Sequence, residues 1–111
     1  MTEARLKASI WVAAALRQGM LDNKPGILVR RGDPDAGGIL VKLYGRAGYI
    51  VLSPFREMDG ALCWRRATGP DPVAAAIVEA YIEKQLRIDP DLWVLEFDTH
   101  DYIPPFEGKI I

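Results

Sequence analysis

The run Trp64-Arg65-Arg66-Ala67-Thr68-Gly69-Pro70-Asp71 has the composition of an anion site. It leaves an apolar strand-like stretch, passes a glycine and enters a helical pattern. Helix N-termini present free N–H groups and the positive end of a dipole, which suit phosphate or carboxylate. Arginines beside them add charge-assisted, bidentate contacts. Arg65, Arg66, Thr68 and Gly69 are therefore candidate ligand-binding residues, with Arg31 as a fifth. Arg30-Arg31 and Arg65-Arg66 are both doublets on strands, where neighbours point to opposite faces. One arginine from each would form a clamp if the two strands adjoin. The competing reading is an ordinary strand-to-helix turn in which Asp71 caps Val73 or Ala74. Rim arginines would then sit in surface ion pairs contributing about 0–1 kcal/mol.

Other chemistry-bearing residues are sparse. Asp33 and Asp35 could face a divalent cation, but Asp33-Pro34-Asp35 is also plain turn chemistry, and no further ligands follow at a recognised spacing. One histidine and one cysteine do not build a tetrahedral zinc site, so no metal and no cofactor is expected. His100 stands next to Asp101, yet no Ser or Cys nucleophile has a reason to be near it, and no catalytic residue is assigned. Cys63 reads as a small packed side chain. Trp11 falls on the polar side of a helical pattern, and Tyr102 and Phe106 stand in a proline-spaced tail. These three are the candidate partner contacts. The alternative for Trp11 is that the tail or a neighbouring strand covers it.

The elements that must position these residues can be read in turn. Residues 3 to 22 are helical in composition, with Thr2 as N-cap and Leu6, Ile10, Ala13, Met20 and Leu21 on one face. Strands follow over 26–31, 39–44, 49–53 and 61–66, separated by Gly-, Pro- and Asp-rich turns. Asp59-Gly60 is a hairpin signal. Asp71 and Pro72 open a second helix with Val73, Ile77, Ala80 and Tyr81 on its apolar stripe. Leu92 to Phe97 is apolar on both faces and belongs inside a sheet. Short connections suggest that the first four strands form an antiparallel meander. The expected fold is α+β: a two-layer sandwich, a mainly antiparallel sheet of about five strands with two helices on one face, in the order α-β-β-β-β-α-β. Residues 1–97 form the single domain and 98–111 an extended C-terminal tail.

At 111 residues the chain is one domain, long enough to bury roughly two-thirds of its unfolded surface. Half of the residues are hydrophobic, which excludes disorder. No apolar run reaches the roughly 20 residues of a membrane span. The lone cysteine and the lack of a signal-like leader suggest the cytoplasm. A net charge of -1 disfavours a nucleic-acid coat, and RNA binding would need Arg30, Arg31, Arg65 and Lys42 on one face with Tyr44 or Tyr49 exposed. The charge is nonetheless polar along the chain, basic over residues 1–31 and acidic over 88–111.

Four separated stretches resemble a known family of short bacterial proteins, domain of unknown function 1491. They are Glu3 to Val12, Val29 to Gly37, Trp64 to Pro70, and Asp89 to Val94. The resemblance implies a small stand-alone bacterial protein and carries no activity. Arg66-Ala67-Thr68-Gly69 is also similar to the start of the pyrophosphate loop of acetyl-CoA-dependent acetyltransferases. Asp71 stands where that loop needs Gly or Ala, and its carboxylate would repel pyrophosphate. The reading favoured by the sequence is a non-catalytic binding or regulatory module for an unknown protein partner or a small anionic ligand. The alternatives are a phosphate-ligand enzyme using residues 65–73, and an RNA-binding module. A homodimer formed by strand or tail exchange is a further expectation.

Overall fold

Large aromatic side chains on one face of a sheet decide how this chain packs. Trp64, Trp93 and Phe97 are all buried there, beside Val41, Leu43, Ile50, Leu52 and Leu95. In the computed structural model, which describes residues 7–111, the helix α1 (Ala8–Leu21) lies on this face. It buries Ala8, Val12, Ala15 and Gly19. Interiors are close-packed, so a sheet face that supplies the bulk selects small residues opposite it. That is why the face expected to be inward is outward: Ile10, Met20 and Leu21 are exposed, and Ala13 with them. Thr2, Glu3 and Leu6 fall outside the described residues, and the observed N-cap is Lys7, with no side-chain cap.

The strands are β1 (Gly26–Arg30), β2 (Ile39–Gly45), β3 (Gly48–Arg56), β4 (Leu62–Arg66), β5 (Trp93–Asp98) and β6 (Lys109–Ile110). They form one six-stranded sheet in the order β1-β5-β2-β3-β4-β6. The β2-β3-β4 meander is antiparallel, as the short turns require. The four-strand meander is corrected, because β5 inserts between β1 and β2, antiparallel to the first and parallel to the second. A sixth strand, drawn from the tail, pairs in parallel with β4. The sheet is therefore mixed.

The placement of both helices on one face is also corrected. Side chains alternate along a strand, so Leu40, Val51 and Val94 point away from α1, and all three are buried. The helix α2 (Ala75–Ile88) covers them, packing against β3 and burying Val78 outside the α1-side cluster. It is the crossover between the parallel strands β4 and β5, and such a connection must lie on one face. The sheet thus has a helix on each side, which its two apolar faces demand.

Residues 98–111 pack against this frame. Thr99, Pro104 and Pro105 are buried. The Tyr102 hydroxyl donates to the Gly48 carbonyl at 3.1 Å and accepts from the Ala47 N–H at 2.9 Å. It thereby plugs the β2–β3 turn, where a Cβ on Gly45 would run into the Tyr102 ring. Lys24 holds the same segment, meeting Asp101 at 3.1 Å and donating to the Ile103 carbonyl at 2.8 Å. The basic head and acidic tail attract each other at this point.

Candidate functional site

The residues first singled out for an anion do not form a cradle. Helix α2 begins at Ala75, not at Pro72, and its N-cap is Ala74 rather than Asp71. The intervening stretch is tied to β3 by a two-way bridge between Val73 and Tyr49. Of residues 69–73, two are prolines, the Gly69 N–H donates to Arg66, and the Val73 N–H donates to Tyr49. A phosphate there would find few amides. The Thr68 hydroxyl accepts from the Val51 N–H at 3.5 Å. Arg65 lies over the Phe55 ring at 5.0 Å, and Arg66 is exposed with its N–H donated to Ile111.

The clamp between doublets also fails on topology. Strands β1 and β4 are four positions apart in the sheet, about 19 Å at the usual strand spacing. Arg31 stacks over Trp93 at 5.6 Å, and Arg30 donates to the Leu92 carbonyl at 3.0 Å. Lys42 pairs with Glu96 at 3.0 Å and lies over Tyr49. Its charge is thus neutralised within the fold, which weighs against an RNA face.

Asp33 and Asp35 form a turn, with Asp33 Oδ1 accepting from the Asp35 N–H at 2.9 Å. Among the described residues no cluster of three metal-ligating side chains occurs. His100 is exposed. Burial pushes the Cys63 thiol pKa up, and Glu57 adds to the effect, so the thiolate is disfavoured. No helix among the described residues is long and apolar enough to cross a membrane.

The three partner candidates are placed differently. Trp11 and Phe106 meet over Trp64, with all three pairs of ring centroids 5.0–5.6 Å apart. Tyr102 lies apart from them, at the β2–β3 turn. Trp11 is half-buried, covered on one side by Phe106 of the tail. Its other side opens on a cleft of about 400 Å³. Trp64, Leu62, Ile39 and Pro54 line it from the sheet, Ala8 and Trp11 from the first turns of α1, and the 35–38 loop from the side. Asp35 and Arg56 bring opposite charges to it.

Each wall is fixed. The loop is anchored by the Trp93 indole N–H, which donates to the Asp33 carbonyl at 2.7 Å. The Asp33 N–H donates to the Asp91 carbonyl, and the Ser9 N–H of α1 donates to Pro34, both at 3.0 Å. A Cβ on Gly37 would run into the Asp91 carbonyl oxygen, so the loop is drawn tight against β5. Trp64 is buried and its indole N–H has no partner within the protein. The volume falls within the range of small-ligand and side-chain pockets, and the lining combines apolar walls with a few polar groups, as such pockets do. Sequence reading reached Trp11 but missed the cleft, because its residues come from α1, a loop and three different strands.

A helix-sheet-helix arrangement with an aromatic-floored cleft is a class of fold, not an activity. The chain matches, over residues 6–107, the family described as protein of unknown function (DUF1491). It belongs to that family. It is similar to a crystal structure of a DUF1491 family protein from Caulobacter crescentus, at 31% identity and a TM-score of 0.85, covering 96% of this chain and 100% of that one. It is also similar to an NMR structure of a DUF1491 family protein from Caulobacter crescentus, at 30% identity and a TM-score of 0.83, covering 98% and 99%. A solution structure of a protein from A. tumefaciens shares the fold at 22% identity and a TM-score of 0.76, covering 96% and 98%. No curated protein matches the chain.

Proposed function

We propose that this is a bacterial, cytoplasmic, non-catalytic binding module, and that the cleft beside Trp11 receives an apolar or aromatic side chain of a protein partner. The observation that carries the reading is the half-covered Trp11, which forms one wall of an opening floored by Trp64, Ile39 and Leu62. Aromatic rings with rigid geometry lose little conformational entropy on contact and dominate recognition surfaces. Asp35 and Arg56 would orient the entering segment through its own charges.

Indole serves as the probe, read by amide chemical shifts. The expected result is saturable shifts confined to Ala8, Trp11, Ile39 and Leu62, lost in Trp11→Ala. Absent shifts, or shifts spread evenly over the chain, would overturn the reading.

A further inference from the structure

The free edge of the sheet at β1 carries a second surface, separate from the cleft. Among the described residues nothing pairs with the outer side of β1. Its three central residues are apolar and exposed, Ile27 at 59%, Leu28 at 38% and Val29 at 48%. Met20 and Leu21, at the end of the helix that leads into it, are 77% and 73% exposed. An edge strand of this composition is a template for another strand, and proteins usually guard such edges with inward charges or a proline within the strand. Here Pro25 precedes the strand, and the Arg30 guanidinium is turned back onto the Leu92 carbonyl. Among the described residues the guard present is a bulge at Val29, between Leu28 and Arg30, in the pairing of this strand with β5.

We propose that β1 is the interface between two copies of this chain, paired antiparallel about a two-fold axis near Leu28. This geometry sets Ile27 against Val29 of the second copy, twice. It also matches charge. Exposed Arg31 follows the C-terminal end of β1, while exposed Asp98 lies beside the N-terminal end, its N–H donating to the Pro25 carbonyl. Antiparallel pairing brings each copy's arginine end to the other's aspartate end. A parallel arrangement would put like ends together. Because the contact is isologous it closes at two copies and leaves the cleft of each one open.

The test is sedimentation of the full chain over a concentration series, with amide exchange recorded at each concentration. The wild type is expected to dimerise, with slower exchange at 26–30 as concentration rises. A wild type that stays monomeric to about 1 mM would overturn the proposal. Ile27→Lys/Val29→Lys places like charges opposite each other and is expected to weaken the dimer at least about ten-fold. Ile27→Lys/Val29→Glu places opposite charges there and is expected to recover most of that loss. Equal dimerisation of the Lys/Lys variant, or no recovery in the Lys/Glu variant, would overturn it. Should either variant fold poorly, exchange on the wild type alone decides: protection at 26–30 that does not change with concentration defeats the proposal.

Discussion

The rings of Trp11 and Phe106 meet edge to face, with centroids 5.0 Å apart and planes at 65°. One residue belongs to the first helix and the other lies close to the end of the chain, so this contact closes the tail over the aromatic end of the core. Phe106 also touches Trp64 and Phe97, at 5.0 and 6.1 Å. Phe106→Ala should cost about 2–4 kcal/mol, somewhat less than the roughly 3–5 kcal/mol of a fully buried aromatic, because Phe106 is only half-buried. It should also hydrate Trp11, moving tryptophan emission to the red in the native state. Denaturant titration monitored by fluorescence measures both. A variant with unchanged midpoint and emission would show that the tail contributes nothing to the core.

The electrostatic anchor of the same tail predicts a pH dependence. The Asp101 carboxylate accepts the Ile103 N–H and pairs with Lys24, and these interactions hold its pKa below the ordinary aspartate value. A folded-state pKa lowered in this way gives stability that is present above the unfolded value and is lost as pH falls through the folded one. The side chain is 48% exposed, so solvent screening limits the effect to about 1 kcal/mol or less. The denaturation midpoint should fall on acidification below the ordinary aspartate range, and fall less in Asp101→Asn. Equal acid sensitivity in both proteins would assign the loss to other carboxylates.

The tail and the strand order share one reason for being hard to read. The β2-β3-β4 meander was legible because each pairing closes across a short turn, Asp59-Gly60 being one. The inner position of β5 was legible because Val94 and Leu95 give it two apolar faces. Its neighbours were not, since Leu28 pairs with Leu95 and Tyr102 with the Gly48 turn. Nothing in a local pattern marks a partner so distant. The α1 face was misread for a different reason. Hydrophobic strength ranks Ile10 and Met20 above Ala8 and Ala15, but packing against Trp64 and Phe97 selects for size. The loop at 65–73 looks like a cradle by residue type, but two of its residues are prolines and the Ala67, Gly69 and Val73 N–H groups are donated within the fold, the last through the bridge to Tyr49.

Lys42 and Glu96 offer a test of the part of the sheet that faces away from α1. They are register neighbours on the parallel strands β2 and β5. Their charged atoms are 3.0 Å apart, with side chains 15% and 23% exposed. A pair this sheltered is stable only together, since removing one partner leaves the other charge poorly solvated. Glu96→Leu should therefore cost about 1–3 kcal/mol, and Lys42→Met a similar amount. The double variant replaces both charges by apolar groups on a sheet that already buries Val94 and Leu40 nearby, and it should cost clearly less than the two single changes added. A double-mutant cycle in denaturant measures the coupling directly, with about 1 kcal/mol or more expected. Additive losses would mean that each charge is solvated independently, and that Tyr49, over which Lys42 also lies, holds the lysine without help from Glu96.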